Sequence, residues 1–410
     1  MKKRYLLLFV LTPFLVISQE RLLTSSSKDS INGNPRIFGS LGANIKLNGY
    51  YDVYGGLQES ETFNVGQIDV YGDDDSQSFN MDLYQTQIKM EGHLMTKKGQ
   101  KVKTMIEFDF WGGNGTMRLR KAYVETDHWQ IGQNWNNFGD ENLWPNIMEW
   151  EGPPSGIWVR TPHVKYMNTF NNEDWIYEIS LEAPLSDYVA FPEVELLVEE
   201  QYQNTPDFTA ALKKKYSWGH LRLATILRSV NYIYTGESDN FFGYGFSLTG
   251  IYTAETRSNA QFQFVAGKGI SAYLTGLAGL GYDGYPNTDN SFDATPAYGG
   301  WASYEHYFTP KFHTNLVFGL THYSLNDVQR YFLNIEEDQE ITVFNGDVDH
   351  SHYYGIVNLM FDPFERMTIG LELDYGVKSF EATGTSTSDI ITESQDRDAM
   401  RISFGFMFFI

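Results

Sequence analysis

Apolar residues recur at alternate positions along most of the chain, and a period of two predicts β-strands with one apolar and one polar face. In the last segment Met400, Ile402, Phe404, Phe406, Phe408 and Ile410 share one face, with Arg401, Ser403, Gly405, Met407 and Phe409 on the other. The segment before it sets Met367, Ile369, Leu371, Leu373, Tyr375 and Val377 against Thr368, Gly370, Glu372, Asp374 and Gly376. The pattern repeats at Trp175, Tyr177, Ile179 and Leu181, at Leu221, Leu223 and Leu227 against Arg222 and Arg228, from Val102 to Phe110, and from Phe312 to Leu320.

Two all-β architectures produce such alternation. A soluble sandwich keeps the apolar face as its core, whereas a transmembrane barrel turns that face to lipid and lines a lumen with the polar one. Segments of about 9–11 residues suit a tilted strand crossing a bilayer and exceed the five or six usual in soluble sheets. Trp111, Trp129, Trp175, Tyr216, Tyr323 and Tyr375 end segments as interfacial aromatic girdles require. The aromatic final strand looks like the C-terminal signature of outer-membrane barrels. We therefore expect an all-β, transmembrane antiparallel β-barrel of about 16 strands over residues 44–410, with short turns such as "DPFER" and "TPKF" alternating with longer acidic loops. A barrel of that size encloses an aqueous channel.

The beginning of the chain bears on where such a barrel would reside. Lys2, Lys3 and Arg4, an apolar run from Tyr5 to Ile17 and the small Ser18 read as a secretory signal peptide over residues 1–18. Residues 19–43 lack strand alternation and read as a short periplasmic segment. No later run is long enough for a membrane helix, and the absence of cysteine excludes disulfides and thiolate sites. The formal charge of -22, which loss of the three basic leader residues makes more negative still, argues against nucleic acid as a partner. Acids cluster in "YGDDDSQ", "NIEEDQE" and "NGDVDHS", which read as exposed loops.

Within this pattern one stretch stands apart: "ENLWPNIMEWEGPPSGIWVRTPHVKY", Glu141 to Tyr166. Residues 135–155 form a connection of about twenty residues between the strands "HWQIGQN" and "GIWVRTPHVKY", a length that is usually functional or disordered. Its aromatics and prolines favour order. The expected use is an inward-folded constriction loop; packing on the rim or at a subunit contact is the other reading. The run from Met117 to Tyr166, through "RLRKAY", "IGQNW", "WEGPPSG" and "VRTPHVKY", resembles the core block of the DcaP-type trimeric porins of Gram-negative outer membranes. The resemblance implies a homotrimer of sixteen-stranded channels whose basic lumen residues select small anionic solutes such as dicarboxylates. Those porins often carry an N-terminal periplasmic coiled coil, for which residues 19–43 are too short and too polar.

Selectivity in a channel comes from charges fixed where the pore is narrow. Arg118 and Arg120 lie two apart, so they share a face, and the lumen is far less costly for them than lipid. Arg160 sits on the next basic strand. Lys165 has the opposite parity and joins it in the lumen only if Pro162 introduces a bulge; Lys121 also has the wrong parity and is expected at a subunit interface. Opposite these basic residues stand the loop acids Asp140, Glu141, Glu149 and Glu151, with Glu178, Glu182, Glu195 and Glu199 as further lumen acids. Such walls would set a transverse field across the pore; each charge otherwise reads as a hydrated lumen residue away from the constriction.

Other chemistries are weaker. Glu149 and Glu151 could pair as a glycosidase acid and base. His350 and His352, beside Asp347 and Asp349, could share a metal, or form a solvated loop tip. "GKGISAYLTGLAGLGYDGYP" lacks the strand-turn-helix setting of a nucleotide loop and reads as strand and turn glycines. The sequence thus points to an outer-membrane porin for passive diffusion of small, anionic or polar solutes, surrounded by lipid and lipopolysaccharide and using no cofactor. A non-channel surface barrel and a secreted β-rich carbohydrate hydrolase are the alternatives.

Overall fold

The computed structural model describes residues 22–31, 34–57, 62–73, 75–187, 198–199, 202–289, 291–334, 341–386 and 389–410. Sixteen antiparallel strands, each paired with the next, close into a barrel where the last pairs with the first. In order these are β1 (Ile37–Tyr54), β2 (Gln87–Met95), β3 (Lys101–Gly112), β4 (Thr116–Glu125), β5 (Trp129–Trp135), β6 (Arg160–Phe170), β7 (Trp175–Glu182) and β8 (Asp207–Tyr216). The second half comprises β9 (Gly219–Tyr234), β10 (Glu237–Thr253), β11 (Asn259–Lys268), β12 (Pro296–Thr309), β13 (Phe312–Asn334), β14 (Ile341–Phe361), β15 (Met367–Ser386) and β16 (Asp389–Phe409).

The barrel wears its apolar residues outside. On β9, Leu223 is 54% exposed while its neighbour Arg222 is 3% exposed; on β16, Ile402 is 37% exposed beside the buried Arg401. A water-soluble sandwich inverts this order, so the distribution is that of a wall in contact with lipid around a polar interior. Among the described residues no helix is long and apolar enough to cross a membrane.

Several expectations needed correction. Alternation becomes legible at Asn44, but β1 begins at Ile37, and Leu23–Ser26 pairs with its first turns of chain through Leu23↔Leu41 and Ser26↔Phe38. "NGDVDHS" is no loop: it lies inside β14, whose ladder with β15 runs unbroken from Asn345. Tyr323 is fully buried inside the barrel and Trp111 lines an interior cavity, so neither belongs to the outer girdle, while Trp129, Tyr216 and Tyr375 are exposed on the outside.

One end of the barrel has short turns, such as 126–128 between β4 and β5 and 310–311 between β12 and β13. The opposite end carries long connections, and three of them fold back into the lumen. Loop L1 (55–77, the part of the β1–β2 connection that precedes the short strand Ser78–Asp82) buries Leu57, Phe63, Val65 and Ile68; L3 (136–159, between β5 and β6) buries Phe138, Leu143, Ile147 and Met148; L6 (269–295, between β11 and β12) buries Ile270, Tyr273, Leu274 and Leu277. These apolar side chains form cores between loop and inner wall, which offsets the entropy of ordering such long segments.

Candidate pore constriction

L3 is the inward loop that the sequence predicts, and both of its halves are tied to the wall. Near its start, the Asp140 carboxylate meets His220 Nε2 at 2.8 Å on β9, accepts from Thr249 Oγ1 at 2.8 Å on β10, and lies 3.8 Å from Lys213 Nζ on β8. Burial pushes this carboxyl up, but His220, Lys213 and Arg222 outweigh it and hold it well below the usual carboxylate range. The Asn137 N–H donates to Glu182 at 2.9 Å. Farther along, the amides of Met148 and Glu149 donate to the Glu372 carboxylate at 2.8 and 2.6 Å, and Lys46 Nζ donates to the Met148 carbonyl at 2.7 Å. Charge-assisted bonds of this kind are worth about 1.5–3 kcal/mol each, enough to hold a loop without secondary structure in one place.

The anchored loop leaves a cavity of about 570 Å³ lined by Leu57, Thr62 and Gln67 of L1, Trp111 and Arg118 of the β3–β4 hairpin, Thr275 of L6, and Trp135, Trp144, Trp150, Glu151, Trp158 and Arg160 of L3 and its flanking strands. The indoles form a connected set. Trp111 stacks on Trp150 at 5.9 Å, Trp144 lies 6.1 Å from Trp150 and 4.5 Å from Trp158, and Trp135 lies 6.3 Å from Trp144. Large side chains with few rotatable bonds give this rim a fixed outline.

The basic wall is built by a β-bulge. On β4 the register passes from Lys121 opposite Glu107 to Leu119 opposite Phe108, leaving Arg120 as the extra residue. The bulge reverses parity, so Arg118, Arg120 and Lys121 all point inward. This corrects the expectation that Lys121 faces a subunit interface: its Nζ lies 3.7 Å from Glu107, with Lys89 Nζ at 3.3 Å from the same carboxylate. Arg118 makes a bidentate pair with Asp109 at 3.0 and 2.7 Å, and Arg120 bridges Glu107 and Asp109 at 2.8 Å each.

Arg160 reaches the cavity by another route. The β5–β6 register runs unbroken from Arg160↔Trp135 to Tyr166↔Trp129, so Pro162 makes no bulge; Lys165 is inward by parity, with Thr161 and His163. Arg160 is the first residue of its strand, where the wall gives way to L3, and its guanidinium lies over the Trp135 ring at 4.7 Å. Among the described residues no carboxylate pairs with it.

The acids that the sequence groups together are divided. Glu151 alone of the loop acids lines the cavity, accepting from Thr62 Oγ1 at 2.5 Å and Asn64 Nδ2 at 2.8 Å. Burial, with the Glu149 carboxylate nearby, raises its carboxyl to about 7. Glu149 turns back to accept from the amides of Trp150 and Glu151 and lies 4.0 Å from Arg401, so it forms no acid–base pair with Glu151. Glu141 meets Asn134 Nδ2 at 3.4 Å. Glu178 pairs with Arg222 at 3.1 Å and lies 4.0 Å from Lys165, away from the cavity; Glu182 accepts from Thr161 and Thr209. Glu195 and the side chain of Glu199 lie outside the described residues. Among the described residues, the acidic face expected across the pore is thus reduced to Glu151.

His350 and His352 are buried inside β14, whereas Asp347 and Asp349 have the opposite parity, so the four do not converge. Among the described residues no group of three or more His, Cys, Asp or Glu could hold a metal. L1 and L6 were not foreseen as inward loops. The one signal for L6 was the apolar set Ile270, Tyr273, Leu274 and Leu277, which lacks the alternation of a strand.

No family model and no curated protein matches the chain. Solved structures do. The outer membrane channel DcaP of Acinetobacter baumannii superposes with a TM-score of 0.66 at 17% identity, over 90% of this chain and 97% of that one. OmpT, an outer membrane protein of Vibrio cholerae, gives 0.52 at 9% identity over 93% and 100%. An anion-selective porin from Comamonas acidovorans gives 0.51 at 9% identity over 91% and 100%. With its inward L3 and its closed sixteen-stranded wall, the chain therefore has the fold of the outer-membrane porins, the DcaP channel among them.

Proposed function

We propose that this protein is an outer-membrane porin through which small hydrophilic solutes, anions in preference to cations, diffuse passively past L3. The observation that carries the reading is the cavity beside L3, where the Arg160 guanidinium has no carboxylate partner among the described residues. A fixed charge in a narrow, poorly screened passage raises the local concentration of counter-ions. The likeness to an anion-selective porin supports this sign at the level of fold.

We also propose a homotrimer in the outer membrane. Strands β2 to β7 are 7–12 residues long against 20–23 in β13 to β16, so one side of the barrel is low. There the backbone ladder between β4 and β5 covers only Ala122–Glu125, and Met117–Lys121 have no ladder partner on β5. Lipid cannot satisfy such an edge, and a neighbouring copy covers it. The Gln133 amide already donates to the carbonyls of Leu119 and Arg120, at 3.3 and 3.0 Å. Proteoliposome swelling tests the function: entry of small organic anions faster than cations of equal size supports it, and liposomes as tight as protein-free controls favour a plugged surface barrel.

A further inference from the structure

We infer that the tryptophan-lined cavity recognises flat aromatic carboxylates in preference to saturated ones of equal charge and similar size; the inference rests on the porin reading and specifies its solute. Five of the nine tryptophans line this one cavity, and all five are only half-buried, so each presents part of its ring to a solute. Cations already cover two of them. Arg160 lies over Trp135 at 4.7 Å and Arg120 over Trp150 at 4.6 Å, where Trp111 is stacked as well. Trp144 and Trp158, 4.5 Å apart, carry no cation among the described residues. Trp144 lies 6.3 Å from Trp135, so this open pair stands one ring away from the Arg160 guanidinium.

Most other polar groups of the lining are committed within the protein. Thr62 Oγ1 donates to Glu151, Thr275 Oγ1 to the Gly156 carbonyl at 2.7 Å and Trp158 Nε1 to the Leu143 carbonyl at 3.0 Å, while Glu151 also accepts from Asn64. What remains for a solute is guanidinium charge beside indole surface. Arg160, with no carboxylate partner among the described residues, receives a first carboxylate; Arg118, held by Asp109 through two bonds, lines the same cavity and leaves a place for a second. The number of carboxylates therefore does not select the solute, and the ring does. An indole face is negative and the edge of an aromatic ring positive, so an aromatic solute gains offset or edge-to-face contacts that a puckered saturated ring lacks. A cavity of about 570 Å³ has room for one such ring with water.

The test is isothermal titration calorimetry of the purified, detergent-solubilised protein, with protein-free micelles as the blank, on two pairs matched in charge. Benzoate is compared with cyclohexanecarboxylate, and terephthalate with its fully saturated trans counterpart. The aromatic member of each pair is expected to bind about tenfold more tightly, the upper range of a single aromatic contact. Trp144→Leu or Trp158→Leu should collapse each ratio toward one, whereas Arg160→Gln should weaken both members of a pair alike. A saturated acid binding the parental protein as tightly as its aromatic counterpart would overturn the inference, and so would ratios that survive both tryptophan substitutions. The parental comparison needs no variant, so it decides even where a substitution unfolds L3. Conductance in planar bilayers is read separately: its absence defeats the porin reading, and its presence with equal binding of the paired acids defeats only the choice of solute.

Discussion

Arg160→Gln is the substitution that isolates the pore's electrostatics from its architecture. The side chain lies at the end of β6 with no ion pair to break among the described residues, so its replacement leaves no buried carboxylate orphaned. Its guanidinium lines the cavity beside L3, and an ion crossing that cavity is taken to come within roughly 5 Å of it. At that distance a unit charge acts with about 0.8 kcal/mol at an effective dielectric constant of 80 and about 3 kcal/mol at 20. Taking about 1 kcal/mol for a hydrated cavity, loss of the charge lowers the occupancy of monovalent anions about fivefold and raises that of cations by a like factor. The assay is the reversal potential of single channels in a salt gradient at low ionic strength. It should move decisively toward the cation side in Arg160→Gln and far less in Lys165→Gln, whose side chain is buried beside Glu178 away from the cavity. A folded Arg160→Gln channel with the parental reversal potential would refute the assignment.

The other predictions concern the loop and the wall. Glu151 has a carboxyl raised to about 7 by burial, so it is charged above that pH and neutral below it. Anion preference should therefore rise as pH falls from 8 to 6, and Glu151→Gln should abolish the step; a pH-independent ratio in the parent would contradict it. Asp140→Ala removes the partner of His220, Thr249 and Lys213 and should cost about 3–5 kcal/mol at the loop's anchor. It should show as noisy conductance and as protease cleavage within L3, and quiet, resistant channels would count against the anchor. Gly132 has φ of +130°, and a Cβ there would lie 2.2 Å from the Ala122 carbonyl oxygen. Gly132→Val should prevent barrel closure, seen as loss of the fast-migrating unheated form on gels, whereas a normal folded band would deny the close contact.

The wall was readable in the sequence because a period of two with one face in lipid repeats over whole strands, as in Leu221, Leu223 and Leu227 against Arg222 and Arg228. Parity reasoning failed where the backbone itself changes parity. The bulge at Arg120 brings Lys121 inward, and the end of the wall at Arg160 frees that residue from the alternation that governs Lys165. The constriction was readable as a loop but its wiring was not. Asp140 finds its partners 80 and 109 residues away, and Glu372 reaches L3 across 224. Charges on one loop looked like one wall because nothing local tells which of them the far side of a barrel will claim. The glycine-rich L6 concealed an inward loop, since its apolar residues cover wall residues that no nearby sequence reveals.

The central claim is an anion-preferring aqueous path past L3, and single-channel recording of the purified protein in a planar bilayer under a salt gradient tests it most directly. The account predicts discrete conductance steps with a reversal potential on the anion side. A membrane that stays silent, or steps that reverse on the cation side, would contradict it.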